Sequence, residues 1–341
     1  MKILLTGNLG YIGTILTPML LDKGHYVIGY DKGLYKDCLL KKDIEPNFQI
    51  SKDIRSINDE DLKGIDAVIH LAGLSNDPLG ELKPGLTENI NYQACINLAK
   101  LAKKNGIKRF IYASSLSMYG ISQTDDELDE YNSEKNPITS YAKTKWQAEQ
   151  ELFEMTDNNF LVVAFRPSTV FGSSPRFRSD IVLNNLFSSA FLYGKINIKS
   201  DGTPWRPVVH VEDVSRAFIS GLEAPFALLQ NKSFNVGYKN GNYTVRQLAN
   251  YVKNVIPKSE VNFTNEDNKD NRTYKISFDR ITSELKDYYK PKWDIISGLK
   301  DLKEFFMEVD YTDEKFNGKM TNRIAKVKNI LEKDKNYFEK I

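Results

Sequence analysis

The chain has 341 residues, 41% hydrophobic and 27% charged, a balance that suits one large globular domain or two tightly joined ones. A formal net charge of +2, with no long basic block before the C-terminus, gives nucleic-acid binding no support, and no apolar run reaches the roughly eighteen residues of a membrane span. Two cysteines, Cys38 and Cys95, make no disulfide framework and fit a reducing cytoplasm, while His25, His70 and His210 lie too far apart in sequence for a metal site.

The opening stretch "MKILLTGNLGYIGTILTPMLL" has the look of a signal peptide, but Gly7, Asn8, Gly10 and Gly13 break the apolar run that such a segment keeps continuous. It reads instead as a strand, "KILLT" (2–6), a glycine loop and a helix over 11–23. Further strands follow at "YVIGY" (26–30), "NFQIS" (47–51), "DAVIHLA" (66–72), "RFIYAS" (109–114) and "FLVVAFR" (160–166). Helical patterns occupy 84–104, with Gly106 as a stop, and 139–156. Strands that are apolar almost throughout, alternating with helices, predict a doubly wound α/β architecture: a parallel sheet covered on both faces.

After Arg166 the rhythm changes. "SSPRFRSDIVLNNLFSSAFLYG" reads as a loop then a helix, "RPVVHVEDVSRAFISGL" as a strand running into a helix, and "SFNVG" as a short strand. Helices are expected near 244–255 and 296–309. The expected organisation is a dinucleotide-binding domain over 1–170 and about 206–238, a smaller interleaved α/β substrate domain over 171–205 and 239–313, and a charged tail over 314–341. In that tail Ile324, Val327, Ile330 and Leu331 fall at helical spacing, either a surface helix docked by one stripe or a mostly solvated segment.

The glycine loop carries the first chemical signal. Gly7, Gly10 and Gly13, with Tyr11 and Ile12 between them, follow a strand and open a helix, which permits a tight turn, close backbone approach and a pyrophosphate at the helix N-terminus. Asp31, after the second strand, can accept hydrogen bonds from an adenosine ribose and repels a 2′-phosphate, favouring NAD over NADP; Lys32 beside it moderates the preference. Asp53 and Ile54 fall where adenine would lie, and Leu71, Ala72 and Gly73 end the fourth strand with small residues that admit a flat cofactor.

The second signal is "SYAKTKWQAEQE", which holds Tyr141 and Lys145 one turn apart on a helix face. An isolated pair of this kind is ordinarily a surface contact. Here "FIYASSLSMYG" brings Ser114, Ser115 and Ser117 to the end of the fifth strand, so a hydroxyl, a phenol and an ammonium can gather at the carboxyl edge of the sheet. The lysine favours phenolate, and Tyr141 can remove a hydroxyl proton while hydride leaves the same carbon for NAD, with Ser115 bonded to that oxygen.

In order along the chain, "TGNLGYIG", "DI" (53–54), "HLAG", "NINYQACINL", "YASSLSMYG", "YAKTK", "RPSTVFG" and "DGTPWRPVVHVEDV" resemble the extended short-chain dehydrogenase/reductase family of NAD-dependent nucleotide-sugar epimerases and dehydratases, from Met1 to about Phe306. The resemblance implies a Rossmann sheet, Ser115, Tyr141 and Lys145 as the catalytic group, and Asn91 beside the cofactor. It also implies a nucleotide-diphosphate sugar as substrate, met by Ser115, Ser117, Asn185, Leu186, Arg206 and Arg272. Arg176 and Arg178 look like a subgroup signature and rank below Arg206. Relatives often dimerise through the helices spanning 92–104 and 141–155, which directs attention to Trp146, Leu152 and Phe153.

Departures from the family pattern narrow the reaction. The 4,6-dehydratases have a carboxylate pair where Leu116 and Ser117 stand, the sugar-acid decarboxylases a glutamate where Ser117 stands, and the C3/C5 epimerases a cysteine and a histidine where Leu116 and Ser174 stand. Hydride chemistry at C4 needs none of these. A UDP-hexose 4-epimerase is therefore the leading expectation, with a 4-dehydrogenase or 4-ketoreductase, a dehydratase, and a non-catalytic NAD-sensing regulator as alternatives.

Overall fold

A computed structural model describes residues 1–75, 81, 83–122, 124–264 and 273–339. The apolar runs of the first half become β1 (Lys2–Thr6), β2 (Tyr26–Tyr30), β3 (Phe48–Ile50), β4 (Ala67–His70), β5 (Arg109–Ala113) and β6 (Leu161–Pro167); "SFNVG" supplies β7 (Lys232–Val236). They form one parallel sheet of seven strands in the order β7-β6-β5-β4-β1-β2-β3. The chain starts mid-sheet and winds outward both ways, so β1 and β4, which come from opposite windings, are neighbours. A crevice for a ligand opens at their carboxyl ends.

Side-chain alternation decides which face each residue covers. Ile3, Leu5, Ile69, Ile111 and Val163 join one buried cluster with helices α1 (Gly13–Asp22) and α5 (Val211–Glu223). Leu4, Val68, Phe110 and Val162 join another, with α2 (Ala94–Lys104) and α3 (Ser140–Glu154). Each fully buried Val, Leu or Ile contributes about 1.5–3 kcal/mol relative to exposure, so a one-residue slip of a central strand would exchange these faces at prohibitive cost.

The second half has its own core. Helices α4 (Val182–Tyr193), α6 (Val245–Val255) and α7 (Ile295–Glu308) enclose Phe177, Phe187, Leu248, Leu302 and Phe306. The expected strand at 205–210 pairs with 169–171 and 242–244, and 195–198 pairs with 260–263; the apolar pattern did not mark these four partners. The expected helix over 84–104 is interrupted by a π-helical turn, Asn89–Gln93. The tail forms α8 (Arg323–Lys333), with Val327 2% exposed and Phe338 5%, so the docked form is the one adopted. Trp146 and Phe153 pack against the chain's own core and Leu152 is wholly buried there, which leaves the exposed faces of α2 and α3 polar (Asn97, Lys100, Gln147, Gln150). Among the described residues no helix is long and apolar enough to cross a membrane.

Candidate active site

A cavity of about 670 Å³ runs along the carboxyl ends of the strands, within the range of small-molecule and cofactor sites. Its floor is the glycine loop. Gly7 has φ +74°, and a Cβ there would stand 2.7 Å from the Ala72 amide nitrogen, so the loop lies directly on the end of β4. At Gly13 a Cβ would come within 2.5 Å of Asn8 Cα. Glycine is thus a packing requirement at both positions, and it leaves the backbone of Gly10, Tyr11 and Ile12 bare on the cavity wall. The Tyr11 hydroxyl turns away and donates to the Gly172 carbonyl at 2.7 Å, tying the loop to the "RPSTVFG" segment.

Asp31 lies on the wall beside the loop. One carboxylate oxygen accepts from the Gly33 amide at 2.7 Å and the other from the Leu9 amide at 3.3 Å, which leaves lone pairs for ribose hydroxyls. Burial raises its pKa and the two backbone donors oppose that shift. Asp53 plays a different part. Burial works to raise its pKa, yet Arg55, through side chain and amide, and Lys32 at 2.9 Å hold it well below the usual carboxylate range. With Ile54 it lines the cavity. Leu71, Ala72 and Gly73 line it as expected. The bare glycine loop, the small-residue edge and the ribose-ready carboxylate fit an NAD.

Asn91 braces the cavity wall from behind Gly73: its amide accepts from Leu74 N at 2.8 Å and donates to Leu74 O at 3.1 Å. The π turn that carries it sets this clamp, and a Cβ at Gly73 would meet Asn91 Oδ1 at 2.9 Å.

At the opposite end, Thr139 caps α3 by accepting from the Ala142 amide at 3.1 Å. This fixes Tyr141 in the first turn, where the helix N-terminus favours negative charge, with Lys145 one turn on. Both line the cavity with Ser115 and Ser117. Lys145 is 5% exposed; its Nζ donates to the Ala113 carbonyl at 2.8 Å and lies 4.9 Å from the Tyr112 ring centroid. Burial lowers its pKa to about 8. Behind it, Glu149 accepts from Ser114 Oγ and from Arg166, both at 2.5 Å in their shortest bonds, and Arg166 donates to the Tyr119 hydroxyl at 3.0 Å. This buried ion pair joins α3 to the ends of β5 and β6. Sequence reasoning missed it, although Glu149 stands four residues beyond Lys145.

Residues 3–237 match the NAD dependent epimerase/dehydratase family, more than half of the chain. The chain belongs to that family. A UDP-glucose 4-epimerase of Lactobacillus helveticus is 28% identical over 279 residues, 75% of this chain and 82% of that one. Among solved structures, a Thermotoga maritima UDP-glucose 4-epimerase with UDP-glucose superposes with a TM-score of 0.77 at 23% identity, covering 90% of this chain and 99% of its own. MoeE5 in complex with UDP-glucuronic acid and NAD gives 0.77 at 24% identity, with the same coverage.

Three carboxylates line the cavity of this epimerase/dehydratase among its described residues: Asp31, Asp53 and Asp180. The first two sit with the glycine loop, and Asp180 is bound in a fork by Arg178 at 2.8 and 2.9 Å. No glutamate, histidine or cysteine among the described residues lines it. Ser174 is occupied elsewhere, donating to the Tyr11 carbonyl at 2.9 Å.

The remaining wall comes from the second half. Arg206, Asn185 and Leu186 line it; Arg206 Nη1 donates to the Trp205 carbonyl at 2.9 Å and Asn185 to the Ser179 carbonyl at 3.0 Å. Arg178 is on the wall, whereas Arg176 is not and pairs with Asp43 at 3.1 Å. Arg272 lies outside the described residues. Asn197, Lys199, Tyr274 and the tail residues Arg323, Ile324 and Phe338 also line the cavity and were not anticipated. For Asn197 and Lys199 the one signal is alternation in "KINIKS", which is too short to stand out.

Proposed function

We propose that the chain interconverts C4 epimers of a nucleotide-diphosphate sugar, a UDP-hexose by preference. The observation that carries this is the composition of the reacting end: Ser115, Tyr141 and Lys145 share that wall, and among the described residues the carboxylates lining the cavity sit with the glycine loop or pair with Arg178. Elimination across C5–C6, decarboxylation and carbanion epimerisation each need a further acid or base.

When bound, NAD supplies reversible hydride acceptance at a sugar carbon. The residues do the rest. Tyr141 takes the C4 hydroxyl proton as that carbon becomes a ketone, and returns it after the sugar has presented its other face. Ser115 donates a hydrogen bond to the C4 oxygen throughout. Lys145, held by the Ala113 carbonyl, stabilises the phenolate and keeps a donor toward the nicotinamide ribose. Arg206 meets the substrate diphosphate, with Asn185 and Leu186 beside the nucleotide and Ser117 near the sugar.

In this reading the cofactor half comprises 1–170 and about 206–238, and the substrate half 171–205 and 239–313. The protein works in a reducing cytoplasm, for which its two free buried cysteines give support. A homodimer is proposed through the polar faces of α2 and α3; a monomer by light scattering at micromolar concentration would count against it.

The test is a panel of nucleotide sugars given to purified protein without added cofactor. Epimer formation with no net NADH is expected. Accumulated NADH or 4-keto sugar would instead assign a 4-dehydrogenase, loss of the C6 oxygen a dehydratase, and no turnover at all an NAD-sensing regulator.

A further inference from the structure

Arg323, the first residue of α8, is buried to 2% exposure on the wall of the dinucleotide cavity. Its Nη2 donates to the Arg176 carbonyl at 2.9 Å, and its guanidinium carbon lies 4.3 Å from the Tyr35 ring centroid. Nη1 has no partner among the described residues, and neither has the buried Tyr35 hydroxyl beside it. Burying a guanidinium without a counter-charge is costly. The carboxylates of Asp180 and Asp31 act on it electrostatically from nearby, but Asp180 is forked by Arg178 and Asp31 is held by two backbone amides. Arg323 therefore keeps one unfilled donor beside a cavity whose ligand would bring its own negative charge.

We infer that Arg323 is a positioning residue for NAD, anchoring its pyrophosphate, and that the segment from Arg323 to Phe338 forms the outer wall of the adenosine subsite. The inference rests on NAD being the cofactor. Asp31 is an acceptor and suits ribose hydroxyls; Arg323 is a donor and suits phosphate oxygens in the same stretch of cavity. Two further contacts secure the wall. The Phe338 carbonyl accepts from Arg55 Nη2 at 2.8 Å, the arginine that holds Asp53, while the Phe338 ring lines the cavity at 5% exposure. Lys326 pairs with Asp37 and fastens the helix in between. The tail is thus cofactor machinery contributed by the last part of the chain.

The experiment measures NAD, ADP and adenosine binding to the purified full chain by calorimetry, and NAD release by fluorescence after competitor addition. Loss of one charge-assisted bond predicts that Arg323→Gln weakens NAD and ADP about ten- to hundredfold and speeds NAD release to match, leaving adenosine nearly unchanged. Arg323→Lys, which keeps the charge and loses the fork, should show a smaller loss confined to the same two ligands; should the glutamine variant not fold, this one decides. Phe338→Ala should weaken all three alike. Equal losses for ADP and adenosine in both Arg323 variants, or affinities within about twofold of the parent, would overturn the inference. A parent protein that binds no dinucleotide would overturn the cofactor assignment as well, so the two failures are distinguishable.

Discussion

At the cofactor end of the cavity, Gly10, Asp31, Asp53 and Gly73 stand just past successive strands of one parallel sheet, each set there by the end of its own strand. At the end proposed for the sugar nucleotide, Asn185, Asn197, Arg206 and Tyr274 come from a helix, two short strands of different small sheets and a connecting segment. The first arrangement inherits its precision from a large hydrophobic core on both faces of the sheet. The second depends on pairings between segments far apart in sequence, such as 195–198 with 260–263. Chemistry common to a family can thus reside on the rigid edge while substrate choice varies on the composite one.

That division can be broken or sharpened by substitution. Tyr141→Phe should reduce kcat by about 10²–10⁴-fold while NAD retention stays at the parent level, since the phenol oxygen acts on the sugar proton alone. Glu149→Gln, behind the reacting end, removes one partner of a fully buried ion pair and should cost about 3–5 kcal/mol in a denaturant titration. On the composite edge, Arg206→Ala should raise KM for the nucleotide sugar about ten- to hundredfold with a smaller change in kcat and no change in NAD content. If Arg206→Ala instead released the cofactor, the two ends would not be separable.

A pH profile gives the smallest effect. Lys145 has a pKa lowered to about 8 by burial, so its ammonium is present below that pH and is lost above it. Turnover should fall as pH rises through about 8, by roughly tenfold at one unit above. Its contribution to stability runs the other way. The unfolded chain holds that proton up to about 10.4, so the folded state gains relative stability from Lys145 between about 8 and 10.4. A profile flat through pH 9 would remove the ammonium from the mechanism.

How much of this was legible in the sequence follows the same line. Strands β1, β2, β4, β5 and β6 are nearly continuous apolar runs of the kind a doubly covered sheet requires, while β3, Phe48–Ile50, is an unburied edge; the ends of all six could be placed to within two residues or so. Strands 169–171 and 242–244 are too short for a period to show; their partners lie far along the chain and tertiary pairing alone defines them. Arg206 and Asn185 were reached by resemblance and not by pattern. Asn91 too was reached by resemblance; its bonds to Leu74, from a π turn, carry no sequence signal. Arg323 carried no signal: among the many lysines of a polar tail, nothing marks the one arginine that burial turns inward.

The central claim is that one phenol and a retained NAD suffice for inversion at C4. The direct measurement is NMR of the product formed in D₂O from the best nucleotide sugar of the panel. Hydride taken from C4 and returned to C4 predicts the C4 epimer with protium at every sugar carbon and no net NADH. Deuterium at C3 or C5 of the product would contradict the account, because it would show a carbanion formed by an acid–base group that this cavity has not been assigned.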